Sequence, residues 1–327
     1  MKNSKILKNS LIGKNVVITG ASSGVGRAAA EAFASEGCNI VAVARGHEGI
    51  DDIVQYCREL NVQAIGVYAD MSIAEDVEKI ASEAITMFGK IDIWVNNAGV
   101  MASGKFEEIP LEIHQQVIGT NLFGYMYGAF NAIKKFKSQN HGILINNVSI
   151  GGFMPAPFSA VYSATKFGIR GMMECLQGEV SNYKDIHICN LYPQLQNSTG
   201  NLHSAKYSGF DMTIPFIASD PRETAAKMVD LAKHPKKDLF PDFRAAAITN
   251  LYRLFPKIVI NTASVAVRTK MELNNSPIDN PGNVLTQSKE PLRVYGNPPS
   301  KNSHSLGLAV LAGLSVGVGL ALLSKKF

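Results

Sequence analysis

The order of short apolar runs at the start of the chain constrains its fold most. From Asn15 to Asp70, β-branched runs alternate with helical patterns: NVVITG, GRAAAEAFASEG, NIVAVAR, DDIVQYCREL and VQAIGVYAD. Apolar runs of this length bounded by turn residues read as strands, and the intervening segments carry the helical period. That order, βαβαβ, requires parallel strands joined by helical crossovers. The alternation continues through a helix over Ile73–Phe88, the strand IDIWVNN, a long helix over Leu111–Phe136, the strand GILINNVS, a helix over Ser159–Val180 and the strand IHICNLY. The expected fold class is α/β, a doubly wound parallel sheet with helices on both faces.

Beyond Pro193 the regularity lapses over Gln194–Asp220, and a segment this long and irregular usually serves function. A helix then opens at Asp220-Pro221, followed by another over Ala245–Met271 with a break at Pro256. Residues 272–305 are poor in large apolar side chains and read as a flexible polar linker. The tail, Leu306–Leu323, carries no charge. As a helix it would rise about 27 Å, just enough for a bilayer core of roughly 30 Å, so a membrane-associated helix is expected. Gly313 and Gly317 would form a close-packing face, which leaves a homo-oligomer or a helix buried in an oligomer interface as alternatives. Lys301 and His304 precede the tail and Lys325 and Lys326 follow it, so its orientation stays open. The expected domains are thus 1–271, 272–305 and 306–323.

With 46% apolar and 18% charged residues in 327, the chain is not wholly disordered. A net charge of +5 falls far short of the basic stripe of a nucleic-acid binder, but it is compatible with acidic ligands or a negative membrane surface. Cys38, Cys57, Cys175 and Cys189 show no metal or disulfide spacing and are expected as buried, reduced thiols. The N-terminal residues lack the apolar core of a signal peptide, so a catalytic domain in the cytoplasm is expected.

Directly after the first strand stands TGASSGVG, Thr19 to Gly26, running into an Ala-rich helix. Glycines at 20, 24 and 26 let backbone N–H groups and the helix N-terminus approach a pyrophosphate, which points to a dinucleotide. The spacing TGxxxGxG resembles the glycine motif of short-chain dehydrogenases/reductases. Three more elements of that family stand in order: Asn96-Asn97-Ala98-Gly99, Ser149, and Tyr162-Ser163-Ala164-Thr165-Lys166. The resemblance covers about Leu11 to Met271 and implies a Rossmann-like fold and an oxidoreductase that interconverts an alcohol and a carbonyl.

Tyr162 and Lys166 are four apart on an expected helix and share a face. An ammonium beside a phenol stabilises its phenolate, so Tyr162 can exchange a proton with a substrate oxygen. The resemblance adds a contact from Lys166 to the nicotinamide ribose, a hydrogen bond from Ser149 to the carbonyl oxygen, and a water-mediated proton relay completed by Asn121. The expected cofactor contacts are Thr19, Gly20, Ser22, Ser23, Gly24, Val25, Gly26, Arg45, Asp70, Asn97, Ala98, Gly99, Tyr162, Lys166, Pro193 and Ser198, with no metal. Among these, Asp70 matches the family's adenine-contacting Asp, or caps the next helix.

The second strand ends in Ala44-Arg45, where an NAD site would offer a carboxylate to the ribose. A guanidinium can grip a 2′-phosphate, so NADP (NADPH) is expected over NAD. The family's Pro-Gly after the sixth strand is Pro193-Gln194 here, with Ser198 or Thr199 within reach of the carboxamide. Phe153, Met154, Pro155, Phe158, Phe210 and Phe216 are candidate pocket walls for an apolar small-molecule substrate, or ordinary core. The rival reading from another class is a dinucleotide-binding redox sensor or membrane scaffold without turnover.

Overall fold

Every residue of the first strand, β1 (Asn15–Thr19), is buried. Val16 and Ile18 join one core with Phe33, Ile53 and Met228, while Val17 faces a second core with Trp94, Ile80 and Phe136. Burial on both faces is why the strand reads as an unbroken apolar run. The computed structural model describes residues 10–211, 218–274, 278–287 and 292–296.

After β1 come α1 (Gly24–Ser35), β2 (Asn39–Ala44), α2 (His47–Glu59), β3 (Ala64–Tyr68), α3 (Ala74–Phe88), β4 (Ile93–Asn96) and β5 (Ala102–Ser103). Then follow α4 (Leu111–Ile118), α5 (Gly124–Gln139), β6 (Gly142–Asn147), α6 (Ala160–Glu179), β7 (Ile186–Leu191) and β8 (Ala205–Lys206). The described elements end with α7 (Pro221–Lys233), β9 (Asp238–Leu239), α8 (Phe243–Leu254) and α9 (Pro256–Glu272). Seven parallel strands form one sheet in the order β3-β2-β1-β4-β6-β7-β9. Helices α1, α2 and α7 cover one face, and α3, α5 and α6 the other. The winding reverses between β1 and β4, and the crevice beyond the C-terminal ends of those strands is where such sheets bind ligands.

A row of polar groups, buried at Asn96, Asn146 and Asn190 and reaching the surface at Asp238, fixes that end of the sheet. Asn96, Asn146, Asn190 and Asp238 are in register across β4, β6, β7 and β9. Trp94 Nε1 donates to Asn96 Oδ1 at 2.9 Å, Asn96 Nδ2 to Asn146 Oδ1 at 3.0 Å, and Asn146 Nδ2 to Asn190 Oδ1 at 3.2 Å. Each amide finds a partner on the next strand, so the row satisfies itself inside the core.

Several expectations change in detail. The long helix over Leu111–Phe136 is interrupted by a π turn, Gly119–Phe123, centred on Asn121. The strands β5 and β8 pair with each other, and β9 extends the main sheet; all three are two residues long, too short to leave a periodic signal. Cys175 is exposed, whereas Cys38, Cys57 and Cys189 are buried, and all four are free thiols. The larger correction concerns 272–305. Its described parts, 278–287 and 292–296, pack on the body: Val284 is fully buried against the Ile113 cluster, and Val294 joins the core beside α1. Two valines suffice to anchor a segment that composition marks as polar. The tail 306–323 lies outside the described residues; among these, no helix is long and apolar enough to cross a membrane.

Candidate active site

The glycine turn is shaped by close approach. A Cβ on Gly26 would stand 2.1 Å from the Gly20 carbonyl oxygen and 2.4 Å from Asn97 Nδ2, so only glycine lets α1 start this close to β1. Thr19 locks the crevice from behind: its Oγ1 accepts from the amides of Asn97 and Ala98 at 2.9 and 3.0 Å and donates to the Val95 carbonyl. Asn97 Nδ2 returns a bond to the Thr19 carbonyl at 2.9 Å. Thr19 and the Asn97 amide group therefore join the ends of β1 and β4.

Ser149 follows β6 with φ 102° and ψ 153°, a conformation that L residues rarely hold, and its Oγ accepts from the Gly151 amide at 3.1 Å. Strain of this kind persists only where the surroundings over-determine it, and it gathers at functional sites. Tyr162 and Lys166 sit one turn apart on α6, and both line the same cavity as Ser149. Burial pushes the Tyr162 phenol above its ordinary value, with the nearby Ser149 opposing. Lys166 is buried; its Nζ reaches the Asn147 carbonyl at 3.4 Å and lies 5.2 Å from the Tyr125 ring centroid. Burial brings its ammonium down to about 7.

Asn121 is fully buried and its amide is committed. Its Oδ1 accepts from the Val100 amide at 2.8 Å, and its Nδ2 donates to the Val100 carbonyl at 2.9 Å and to Thr165 Oγ1 at 3.3 Å. The side chain thus clamps the loop after β4 to α6.

One cavity of about 450 Å³ gathers Gly20, Ser23, Gly24, Val25, Gly26, Asn97, Ala98, Gly99, Ser149, Tyr162, Lys166, Pro193 and Ser198. Ser22, Arg45 and Asp70 line a smaller cavity of about 100 Å³ that shares Gly20, Ala98 and Gly99 with the first. Thr19 and Asn121 line neither and act from behind the walls. Asp70 lies 4.0 Å from Arg45, and its Oδ1 accepts from the Ser72 amide at 2.8 Å and hydroxyl at 2.7 Å. These bonds close the turn before α3, whose N-cap is Ile73 rather than Asp70. The Gln194 departure is structural: its Nε2 donates to Ser219 Oγ at 2.8 Å, and Ser219 passes a bond to Asp242, the N-cap of α8.

Of the expected substrate walls, Met154 and Phe210 line the larger cavity, while Pro155 and Phe158 line neighbouring ones. Phe153 is core, packed on Tyr192 and Phe240 with Arg170 stacked 3.8 Å from its ring centroid. Phe216 lies outside the described residues. Sequence reasoning missed Leu195, Pro157 and Val267, which complete the apolar wall; Val267 comes from α9, and no motif marks it. It also missed Asn283 and Gln287, which line the smaller cavity from the C-terminal segment.

Residues 14–206 match the short chain dehydrogenase family. An uncharacterized oxidoreductase of Bacillus subtilis, YxnA, is 32% identical over 248 residues, covering 74% of this chain and 69% of that protein. The 3beta-hydroxysteroid dehydrogenase 1 of Eggerthella lenta is 36% identical over 193 residues, covering 58% of this chain and 74% of that protein. Among solved structures, an alcohol dehydrogenase from Thermococcus sibiricus complexed with 5-hydroxy-NADP superposes with a TM-score of 0.60 at 26% identity, covering 69% of this chain and 95% of that one. A short-chain dehydrogenase/reductase from Burkholderia phymatum in complex with NAD shares the fold, with a TM-score of 0.66 at 22% identity over 83% of this chain and 98% of that one. By this match over more than half its length, and by the glycine turn, Ser149, Tyr162 and Lys166 meeting at one cavity, the chain belongs to the short-chain dehydrogenase family of oxidoreductases with an NAD(P)-binding Rossmann fold.

Proposed function

We propose that the protein is an NADP(H)-dependent oxidoreductase that interconverts an alcohol and a carbonyl on an apolar small molecule, attached to a membrane through residues 306–323. The observation that carries the redox reading is the meeting of Ser149, Tyr162 and Lys166 on the wall of the same cavity as the glycine turn. The cradle fits a dinucleotide: Gly26 leaves no room for a Cβ, and the first-turn amides of α1 face the crevice. Gly24, Val25 and Gly26 would hold its pyrophosphate, Arg45 the 2′-phosphate, and Lys166 the nicotinamide ribose. The nicotinamide ring supplies the hydride donor or acceptor.

Everything else falls to the chain. Ser149, held in a strained conformation, offers its hydroxyl to the substrate oxygen and orients it. Tyr162, kept protonated at neutral pH by burial, gives that oxygen its proton in the reductive direction and takes it back in the oxidative one. Lys166, when charged, lowers the cost of the phenolate left behind. Met154, Leu195, Phe210 and Val267 surround the reacting end with apolar surface and so favour an apolar substrate. Two similar proteins, a 3beta-hydroxysteroid dehydrogenase and an alcohol dehydrogenase complexed with 5-hydroxy-NADP, support an alcohol or carbonyl substrate and a nicotinamide dinucleotide.

The test is oxidation of NADPH by purified protein against a panel of aldehydes and ketones graded in chain length. Turnover that rises with apolar length, with NADPH preferred to NADH, is expected. NADPH that binds without being oxidised by any member would contradict the reading in favour of a non-catalytic dinucleotide sensor.

A further inference from the structure

Two of the donors that a dinucleotide needs are already engaged by the chain's own C-terminal segment. The Gly24 amide, first in the opening turn of α1, donates to the Arg293 carbonyl at 2.9 Å. The Arg45 guanidinium donates to the carbonyls of Val284, at 3.1 Å, and Asn283. Thr199 Oγ1 also donates to the Arg293 carbonyl, at 3.1 Å, and Arg27 Nη1 to the Leu292 carbonyl at 3.3 Å. The backbone oxygens of this segment thus stand where phosphate oxygens would.

The segment also takes space. With Asn283 and Gln287 in its wall, the cavity beside Arg45 and Asp70 holds about 100 Å³, whereas small-molecule sites run to roughly 300–1,000 Å³. A phosphorylated adenosine does not fit there until the segment moves. The reacting end beside Tyr162, at about 450 Å³, is not closed in this way.

Docking is specific and anchored outside the groove. Asn280 and Lys206 exchange backbone hydrogen bonds at 2.8 Å, and the Asn283 amide donates to the His203 carbonyl at 2.8 Å. Val284 is fully buried in the cluster that holds Ile113 and Tyr207, and Tyr295 Oη donates to Asp220. Gly282 has φ +56°, and a Cβ there would stand 2.2 Å from the His203 carbonyl oxygen, so the turn closes only with glycine.

We infer that residues 278–287 and 292–296 act as an autoinhibitory strap that competes with the dinucleotide for Gly24 and Arg45 and must leave the adenosine half of the groove before cofactor binds. The inference rests on the cofactor reading given above. Neutral carbonyls satisfy both donors, but charge-assisted bonds to phosphate are roughly twice as strong, so the dinucleotide can displace the strap at a cost in apparent affinity. A partner or modification that lifts the strap would raise the enzyme's affinity for cofactor without touching the catalytic residues.

The test uses the full chain carrying Gly282→Ala or, separately, Val284→Asp, neither of which lies among the catalytic or phosphate-holding groups. Both should tighten NADPH binding, by about tenfold if about nine-tenths of molecules are strapped. On the unaltered protein, saturating NADPH should speed hydrogen exchange in the peptide spanning 278–287. NADH should tighten by the same factor, because the strap withholds the same fraction of molecules from both cofactors. Unchanged or weaker binding in both variants, or slower exchange on adding NADPH, would show a clamp that holds the cofactor in place and would overturn the inference.

Discussion

Lys166 Nζ lies 5.5 Å from the centre of the Tyr162 ring, one turn along the same helix, and both side chains face the cavity floored by the glycine turn. Burial acts on the two in opposite senses, pushing the phenol up and the ammonium down to about 7. Each shift favours the uncharged form, so near neutrality the phenol is protonated and the lysine is divided between amine and ammonium. That state suits proton donation to a carbonyl oxygen.

The buried lysine has a consequence for stability. Its folded value near 7 lies below the unfolded value near 10.5, so between those limits the unfolded chain binds more protons. Stability should therefore rise with pH across that window, by at most about 1.4 kcal/mol per pH unit from this group, and the cost of charging the buried amine is felt below about pH 7. Lys166→Met should flatten the slope. Urea unfolding of both proteins at several pH values checks this, and identical slopes would show that the amine is not desolvated.

Arg45→Ala should cost NADPH about 1.5–3 kcal/mol of binding relative to NADH, the range for a hydrogen bond to a charged group. The ratio of the two affinities is the readout, because loss of the Arg45 contacts to residues 283 and 284 affects both cofactors alike. An unchanged ratio would remove Arg45 from 2′-phosphate recognition.

Asn146→Ala tests the polar row under the site. Asn146 is fully buried and bonded to Asn96 on one side and Asn190 on the other, so the change takes the donor from Asn190 Oδ1 and leaves Asn96 Nδ2 with the Tyr125 carbonyl alone. A loss of about 1–3 kcal/mol for the orphaned acceptor is expected in chemical unfolding. A loss below about 0.5 kcal/mol, the range of a surface substitution, would mean that the row is not a stabilising network.

The sheet was legible because its strands are buried on both faces, and Val16–Thr19 or Ile186–Leu191 can hardly be anything else. The Ser149, Tyr162 and Lys166 set was legible because spacing on one helix and after one strand fixes it. What could not be read depends on long-range pairing. Nothing local marks Asn96, Asn146 and Asn190 as neighbours, since their contact follows from strand register. The segment around Val284 carries the polar, Pro-rich composition of a linker, and only the pocket formed by Ile113 and Tyr207 turns one valine into an anchor. The pairing of the Asn121 amide with Val100 and Thr165 likewise depends on residues distant in sequence.

For the tail, ending the chain at Gly296 removes Leu306–Leu323 and keeps every described contact. Full-length protein should sediment with membranes and resist extraction by high salt, while the shortened protein stays in the supernatant with its turnover intact. Full-length protein that remains in the supernatant would count against membrane attachment.

The central claim is that Tyr162 moves the proton, and the most direct measurement is turnover and dinucleotide affinity of Tyr162→Phe beside the unaltered enzyme. The change removes one hydroxyl that faces the same cavity as Ser149 and leaves the ring in place. A fall in kcat of about 10²–10⁴-fold, with the NADPH Kd unchanged within a factor of about two, is the predicted result for loss of a general acid. A kcat close to that of the unaltered enzyme would contradict the account.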